Sequence, residues 1–251
     1  MTQITDLWRH PVKGIGREQV AEAELKPGET FPYDRIWALA HEAANLDRGG
    51  AWAKCSNFLR GAKAPELQAV TAAFDPSTGI LTLRHPRQGD VVGDPDKAED
   101  ASKIIDWVRP LVPETRAAPS MMVRGASRGF TDHDAPTISI MNHASLRALS
   151  QSAGKEMSQH RFRGNIWVNE DWAPWEELGL VGKTLQIGSA EVEVIDPVDR
   201  CELTAANPET GQRDFDTLGL MDAALGHRDF GIHVVVTKPG HVKPGDTVAV
   251  L

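Results

Sequence analysis

Turn residues punctuate this 251-residue chain so often that little room is left for long regular elements: 22 residues are glycine and 16 are proline. Between them lie short runs that alternate apolar and polar residues, the period of a strand with one buried face. Pro27-Gly28 and Asp75-Pro-Ser-Thr-Gly79 are strong breaks, because proline fixes φ and glycine supplies the backbone freedom a tight turn needs. The clearest hairpin spans 67–83, with Asp75 to Gly79 at its tip. Strand-like runs also cover 4–11, 20–25, 35–40, 137–141, 161–169, 182–188, 190–195 and 230–237, with a closing strand in 238–251. Pro197 has no N–H to give a sheet, so the run over 190–195 is expected to stop there. Helical spacing is rarer. Ala101, Ile104, Ile105 and Val108 form one apolar stripe, stopped by Pro110. Asn142 is a candidate N-cap for a helix anchored by Ala144, Leu146 and Leu149 and ended by Gly154. A helix over 216–225 and a short turn over 174–178 complete the set, and 51–59 fits a loop or a short helix. The reading is a mainly β (α+β) chain with a few short helices. Residues 111–132 carry Pro113, Pro119, Gly125 and Gly129 and read as loop, which sets a domain boundary giving 1–120 and 121–251. Closely spaced short strands in the first part fit a barrel or sandwich.

Composition narrows function. A net charge of -8 with both signs interspersed argues against nonspecific nucleic-acid binding and against attraction to anionic membranes, while leaving room for a local basic pocket that takes one phosphate. The seven tryptophans then read as core and pocket lining rather than a platform for bases. Two cysteines, Cys55 and Cys201, are too few for a disulfide framework or a cysteine-ligated iron–sulfur or zinc site. No charged n-region followed by an apolar run opens the sequence, and no apolar stretch approaches the ~20 residues of a membrane span. The expectation is a cytoplasmic protein with reduced thiols. Gly14-Ile-Gly16 lacks the third glycine of a dinucleotide loop. Asp132-His-Asp134 reads as a polar loop, since three adjacent side chains on a strand cannot all face one ion; a supporting role for Asp134 beside a site stays open. Cys55 has no neighbouring motif and reads as structural.

Cys201 is different. Asp196-Pro-Val-Asp-Arg-Cys-Glu-Leu-Thr-Ala-Ala-Asn-Pro-Glu-Thr-Gly211 puts it where a strand opens into a loop, the place a scaffold presents reactive groups. Arg200 beside it is expected to favour the thiolate, which is both nucleophile and metal ligand. The run Arg-Cys-x-x-Thr-x-x-x-Pro-x-Thr-Gly resembles the loop of MOSC domains. Pro11-Val-Lys-Gly14 and Tyr33-Asp-Arg-Ile-Trp37 resemble segments of the β-barrel domain that precedes MOSC in longer members. Phe162-Arg-Gly-Asn165 resembles the segment opening the MOSC core, with Gly164 where proline is usual, and the tail with Gly240-x-Val-x-x-Gly-Asp-x-Val248 is similar too. The resemblance covers nearly the whole chain and implies an N-terminal β-barrel-like domain followed by a MOSC β-barrel domain.

The resemblance reaches the mitochondrial amidoxime reducing components and their bacterial counterparts. It implies a molybdenum–molybdopterin cofactor ligated by Cys201, and oxygen-removing reduction of N-hydroxylated or related N-oxide and S-oxide compounds. Lys13, Gly14, Arg35, Arg163, Asn165, Asp199, Arg200, Cys201 and His233 fall at its cofactor-binding positions. On their own, without the resemblance, Arg35 and Arg163 read as members of salt bridges. Departures are Gly14 for serine, Asp199 for serine or another small residue, and Asn207 for aspartate. No ferredoxin domain follows residue 251, so electrons are expected from a separate reductase, ferredoxin or cytochrome-type protein. The competing expectation is a sulfur or cofactor carrier with a persulfide on Cys201. A cysteine hydrolase has no local nucleophile motif in its favour.

Overall fold

The computed structural model describes residues 1–46 and 51–251. In the first part run β1 (Ile4–Arg9), β2 (Glu18–Val20), β3 (Ala23–Leu25), β4 (Trp37–His41), β5 (Thr71–Asp75), β6 (Ile80–His85), β7 (Gln88–Gly93), helix α1 (Ala98–Val108) and β8 (Pro119–Arg124). Then come β9 (Ile138–Asn142), α2 (His143–Ala153), β10 (Ile166–Val168), β11 (Thr184–Ile187), β12 (Ala190–Asp199), α3 (Thr217–Leu225), β13 (Asp229–Lys238), β14 (Gly240–Val242) and β15 (Val248–Val250). The molecule is mainly β, as the punctuation demands.

One eight-stranded sheet dominates, in the order β15-β11-β12-β13-β9-β10-β1-β2. Strands β5-β6-β7 form a second sheet, while β4-β8 and β14-β3 are two-stranded. The strand orders are open, so the closed barrels expected from the resemblance are not present as rings of paired strands among the described residues. β1 and β2 belong to the first part of the chain, yet they pair into the sheet built mostly from the second. The sequence division at 120/121 is therefore stitched across by hydrogen bonds from the N-terminal strand.

Burial follows the sequence periods. On β13 Phe230, Ile232, Val234 and Val236 are buried while His233 and Val235 face the other way with partial exposure. Ile232, Val234 and Val236 pack with Leu7, Ile140, Ile166, Val192 and Val194 into one core, while Phe230 joins Met141, Phe162 and Trp167 in another. A second core collects Val12, Trp37, Leu67, Leu81 and Leu83 against the expected stripe of α1. Ile104 and Val108 are fully buried there, each worth roughly 1.5–3 kcal/mol against exposure.

The sequence reading needs four local corrections. Residues 20–25 are not one strand: β2 and β3 join different sheets across a break at Ala21 and Glu22. Residues 111–132 are not all loop, because β8 pairs with β4 in spite of Pro119, which sits at the strand's first residue. Residues 161–169 begin with a 3₁₀ turn, Gln159–Phe162, and only Ile166–Val168 is extended. β12 does not stop at Pro197; its register against β13 shifts around that residue, and such bulges accommodate a residue without an N–H. The bulges carry the strand on to Asp199, next to Arg200 and Cys201.

The expected helix caps are in place. Asn142 Oδ1 accepts from the Ala144 N–H at 2.9 Å, and Gly154 ends α2 in a left-handed conformation. Asn142 is also fully buried, and its Nδ2 donates to the Ala173 carbonyl and to Glu177, both at 2.9 Å. Glu177 is itself buried, and burial pushes its carboxyl up. Asn142→Ala should cost about 2 kcal/mol or more in urea unfolding, because a cap and a buried partner are lost together. Asp216→Ala, at the solvent-exposed cap of α3, should cost about 1 kcal/mol.

Candidate functional site

Asp34 is 1% exposed and organises the loops on the N-terminal side of the site. Its Oδ1 accepts from the His10 backbone N–H at 2.7 Å and lies 3.1 Å from His10 Nδ1. Its Oδ2 pairs with the Arg35 guanidinium. The Arg35 N–H returns to the His10 carbonyl at 2.7 Å. These bonds tie the Pro11-Val-Lys-Gly14 loop to Arg35. Arg35 has φ 53° and Arg163 φ 48°, left-handed values that side-chain-bearing residues adopt only when their surroundings enforce it. Gly14, at φ +72°, allows a close backbone approach: a Cβ there would meet the Leu59 carbonyl at 3.2 Å.

Arg35 Nη2 then donates to the Arg163 carbonyl at 3.1 Å, crossing to the second half of the chain. Arg163 is 6% exposed and its Nη2 has no partner among the described residues. Burial and neighbouring Arg35 pull its guanidinium down to about 9. Lys13 is 4% exposed; its Nζ donates to the Phe130 carbonyl at 2.7 Å and to Asp132 at 2.6 Å. Burial lowers the Lys13 ammonium and Asp132 opposes the shift.

Three strands supply a row across the sheet: Asp196 on β12, His233 on β13 and Ser139 on β9 are register neighbours. The Ser139 N–H and hydroxyl donate to Asn165 Oδ1 at 3.2 and 3.0 Å, and Asn165 Nδ2 donates to the Trp8 carbonyl at 3.2 Å. His233 Nδ1 is buried without a partner among the described residues. Burial, then Arg200 and His133, drop its ring to about 3. His133 lies with its ring centroid 5.6 Å away and its Nε2 3.1 Å from Asp196.

Cys201 follows the end of β12, opens a 3₁₀ turn, Glu202–Ala205, and is exposed. Its carbonyl accepts from the Thr204 N–H at 3.2 Å and hydroxyl at 3.1 Å. Arg161 locks that turn by donating to the Thr204 carbonyl at 3.2 Å while gripping Asp214 at 2.7 and 2.8 Å. Arg200 does not turn toward the thiol. Its Nε donates to the Phe230 carbonyl at 3.0 Å, its Nη1 to Phe162 at 2.8 Å and its Nη2 to Met141 Sδ at 3.0 Å. Arg200 still favours the thiolate, as expected, but does not decide the net direction. Although part of Cys201 reaches solvent, the cavity walls crowd its thiol and push it up, Asp132 adds to this, and backbone N–H groups and Arg200 only partly oppose it.

All of Lys13, Gly14, Arg35, Arg163, Asn165, Asp199, Arg200, Cys201 and His233 line one cavity of about 300 Å³. Arg35 is salt-bridged, to Asp34, whereas buried Arg163 has no carboxylate against it among the described ion pairs. The cavity also takes in Cys55, Arg60, Asp132, Ser139, Arg161 and Thr204, which sequence reasoning did not assign to it. Asp132 carried a signal, as the first acid of Asp132-His-Asp134. Asp134 is not in the lining; its carbonyl accepts from Arg128. Among the described residues no group of His, Cys, Asp and Glu could hold a metal by itself.

The MOSC N-terminal beta barrel domain profile matches residues 1–109, and the MOSC domain profile matches 128–249. This chain is a MOSC-domain protein. It is similar to the molybdenum cofactor sulfurase of Drosophila grimshawi, 33% identical over 118 residues, or 45% of this chain and 15% of that protein. The molybdenum cofactor sulfurase of Caenorhabditis briggsae is 25% identical over 258 residues, covering 98% of this chain. The chain thus spans 15% and 34% of the lengths of those two relatives. Among solved structures, the YUAD protein of Bacillus subtilis aligns over 99% of this chain and 94% of its own, at 14% identity and a TM-score of 0.45.

The cavity is shared by both matched segments. Lys13, Gly14, Arg35 and Cys55 come from the N-terminal one, and Arg163, Asn165, Cys201 and His233 from the MOSC domain. A phosphate-sized anion and a soft metal could therefore be gripped side by side, the first by Lys13 and Arg35 of the N-terminal segment with Arg163 of the MOSC domain, and the second by Cys201.

The Asp34–His10 pair makes the site acid-sensitive. Burial, then Arg163 and Arg35, hold His10 down to about 3. Burial alone would raise Asp34, but Arg35 and His10 outweigh it and hold it well below the usual carboxylate range. His10 therefore binds fewer protons folded than unfolded between pH 6.5 and about 3, so stability falls as pH falls through that window. Asp34 adds to the loss below the ordinary carboxylate range. Urea unfolding at pH 7, 6, 5 and 4 should show a decline, and His10→Asn should reduce its slope by up to about 1.4 kcal/mol per pH unit.

Proposed function

We propose that this chain binds a molybdenum–molybdopterin cofactor in the shared cavity and reduces N-hydroxylated compounds, or related N-oxides and S-oxides, by removing oxygen. The observation that carries the reading is one cavity with a thiol, Cys201, and three buried or half-buried cations, Lys13, Arg35 and Arg163. The side chains fit such a group. Arg163 Nη2 is a buried donor without a partner among the described residues, a vacancy that a phosphate oxygen suits. When bound, the cofactor supplies the two-electron redox chemistry, with the Cys201 thiolate as its soft protein ligand.

The chain's own residues then bind and orient. Lys13 releases part of its hold on Asp132 to meet anionic charge, and Arg35 fixes the Arg163 loop through its carbonyl. Asn165, held by Ser139 and Trp8, presents a rigid edge of the cavity. Arg200 acts as an anchor that fastens the start of the Cys201 turn to the Phe162 and Phe230 carbonyls. Gly14 lets the loop pass close to Leu59. The net conversion takes an N–OH group, two electrons and two protons to N–H and water, the electrons arriving from a separate reductase, ferredoxin or cytochrome-type protein. We place the protein in the cytoplasm; no helix among the described residues is long and apolar enough to cross a membrane. The working units are 1–120 and 121–251, with the cavity contributed by both.

A second reading has an observation in its favour: the relatives are molybdenum cofactor sulfurases. In it the chain carries sulfur as a persulfide on exposed Cys201, without turnover of its own. The two readings separate by content. Protein made in a cofactor-competent host should hold near-stoichiometric molybdenum and pterin by elemental analysis and fluorescence after oxidation. It should also reduce benzamidoxime with dithionite-reduced methyl viologen. Cys201→Ala should lose at least tenfold in activity and most of the metal. Absence of both molybdenum and pterin, with cyanide-labile sulfur on Cys201, selects the sulfur carrier instead.

A further inference from the structure

Leu59 and Arg60 line a second cavity as well, of about 190 Å³, which the reaction does not use. Part of its wall is apolar and buried: Phe58, Leu59 and Ala64 are 2%, 5% and 2% exposed. Its charged lining is all of one sign. Arg60, Lys63 and Arg116 border it, and no aspartate or glutamate does. None of the three forms a salt bridge among the described residues. Arg60 Nη1 reaches only as far as Cys55 Sγ, at 4.0 Å. Two turns hold these cations in place. The Lys63 and Ala64 N–H groups donate to the Arg60 carbonyl at 2.9 and 3.0 Å, and the Arg116 N–H donates to the Pro113 carbonyl at 2.9 Å. Segments far apart in the chain thus bring like charges to one opening, where they repel. The chain has 35 acidic residues and a net charge of -8, yet none of those acids lines this cavity. His41, at the end of β4, completes the wall. Its Nε2 lies 2.7 Å from the Ser56 carbonyl and so carries the hydrogen, while Nδ1 is buried without a partner among the described residues.

We infer that this cavity is a second ligand site, for a small organic anion with an apolar body: a carboxylate on an aryl ring or a short chain. The carboxylate meets Arg60, Lys63 and Arg116, and the hydrocarbon covers Phe58, Leu59 and Ala64. A bare oxyanion leaves the apolar wall unfilled, and a neutral ring leaves the cations unmet. The site stands apart from molybdenum binding, because Lys63 and Arg116 line this cavity and not the one that holds Cys201. The two are nonetheless neighbours through one segment. The Leu59 carbonyl lies close to Gly14, and Gly61 packs so near Leu203, in the Cys201 turn, that a Cβ on it would meet Leu203 Cδ1 at 2.3 Å. An occupant of the second cavity therefore rests on the same stretch of chain that walls the first.

Ligand-observed NMR titrations of the full chain with benzoate, benzamide and inorganic phosphate test the site. Benzoate should bind saturably, at least about tenfold more tightly than benzamide or phosphate, and more weakly at roughly 500 mM than at roughly 20 mM salt. Lys63→Gln combined with Arg116→Gln should weaken benzoate about tenfold, the size expected when two solvent-exposed charge contacts are lost. Both side chains are exposed, so the circular dichroism and urea midpoint of that double variant should match wild type. Arg163→Gln, which alters the Cys201 cavity alone, should leave benzoate binding unchanged. No saturable benzoate signal up to about 10 mM overturns the inference. Equal binding of benzoate and benzamide, or phosphate binding as tightly as benzoate, overturns the ligand class. Benzoate binding that persists in the double variant and is lost in Arg163→Gln puts the anion in the Cys201 cavity and overturns the second site.

Discussion

A single buried carboxylate carries the N-terminal side of this site. Asp34 has almost no contact with solvent, and a charge in that position is tolerable only when its lone pairs are met. They are met by the backbone and ring of His10 and by the guanidinium of Arg35. Because His10 leads directly into Pro11-Val-Lys-Gly14, the same carboxylate sets the path of the loop that presents Lys13. Because Arg35 continues to the Arg163 carbonyl, it also fixes the distance between the two matched segments. Removing the charge would leave His10 and Arg35 unpaired at once, so loop, arginine and cavity would loosen together.

The arginines illustrate how burial divides labour. Arg35, Arg163 and Arg200 all border the cavity, yet their guanidinium groups are in three different situations. Arg35 is neutralised by Asp34 and braces a loop. Arg200 is spent on main-chain carbonyls and a thioether, which makes it a fastening for the Cys201 turn. Arg163 alone of the three keeps a buried donor without a partner among the described residues. Charge near a site is thus a poor guide to ligand contact; the hydrogen-bond ledger of each guanidinium decides.

Much of this was legible in the sequence. The stripe of Ala101, Ile104, Ile105 and Val108, the Asn142 cap and the Gly154 terminus are local signals, and the corresponding helices have those limits. The motif residues from Lys13 to His233 converge on one cavity, although they are separated by as much as 220 positions in the chain. What was not legible depends on partners far away. Pro119 and Pro197 read as strand breakers, but an edge position and a bulge against β13 make room for them. Residues 20–25 alternate without a break, and only pairing to β1 on one side and β14 on the other divides them. Asp132 lies in a loop, as read, but its place in the cavity was hidden because its partner, Lys13, lies 119 residues away. The raised Cys201 thiol was missed because desolvation by residues distant in sequence outweighs the adjacent Arg200.

The central claim is that Cys201 supplies a sulfur ligand to molybdenum in the shared cavity. The most direct measurement is molybdenum K-edge absorption on loaded wild type and on Cys201→Ser, which counts the sulfur neighbours of the metal. The account predicts one fewer sulfur neighbour in Cys201→Ser, with the pterin phosphate still held by Lys13, Arg35 and Arg163. An equal sulfur count in the two proteins would contradict it.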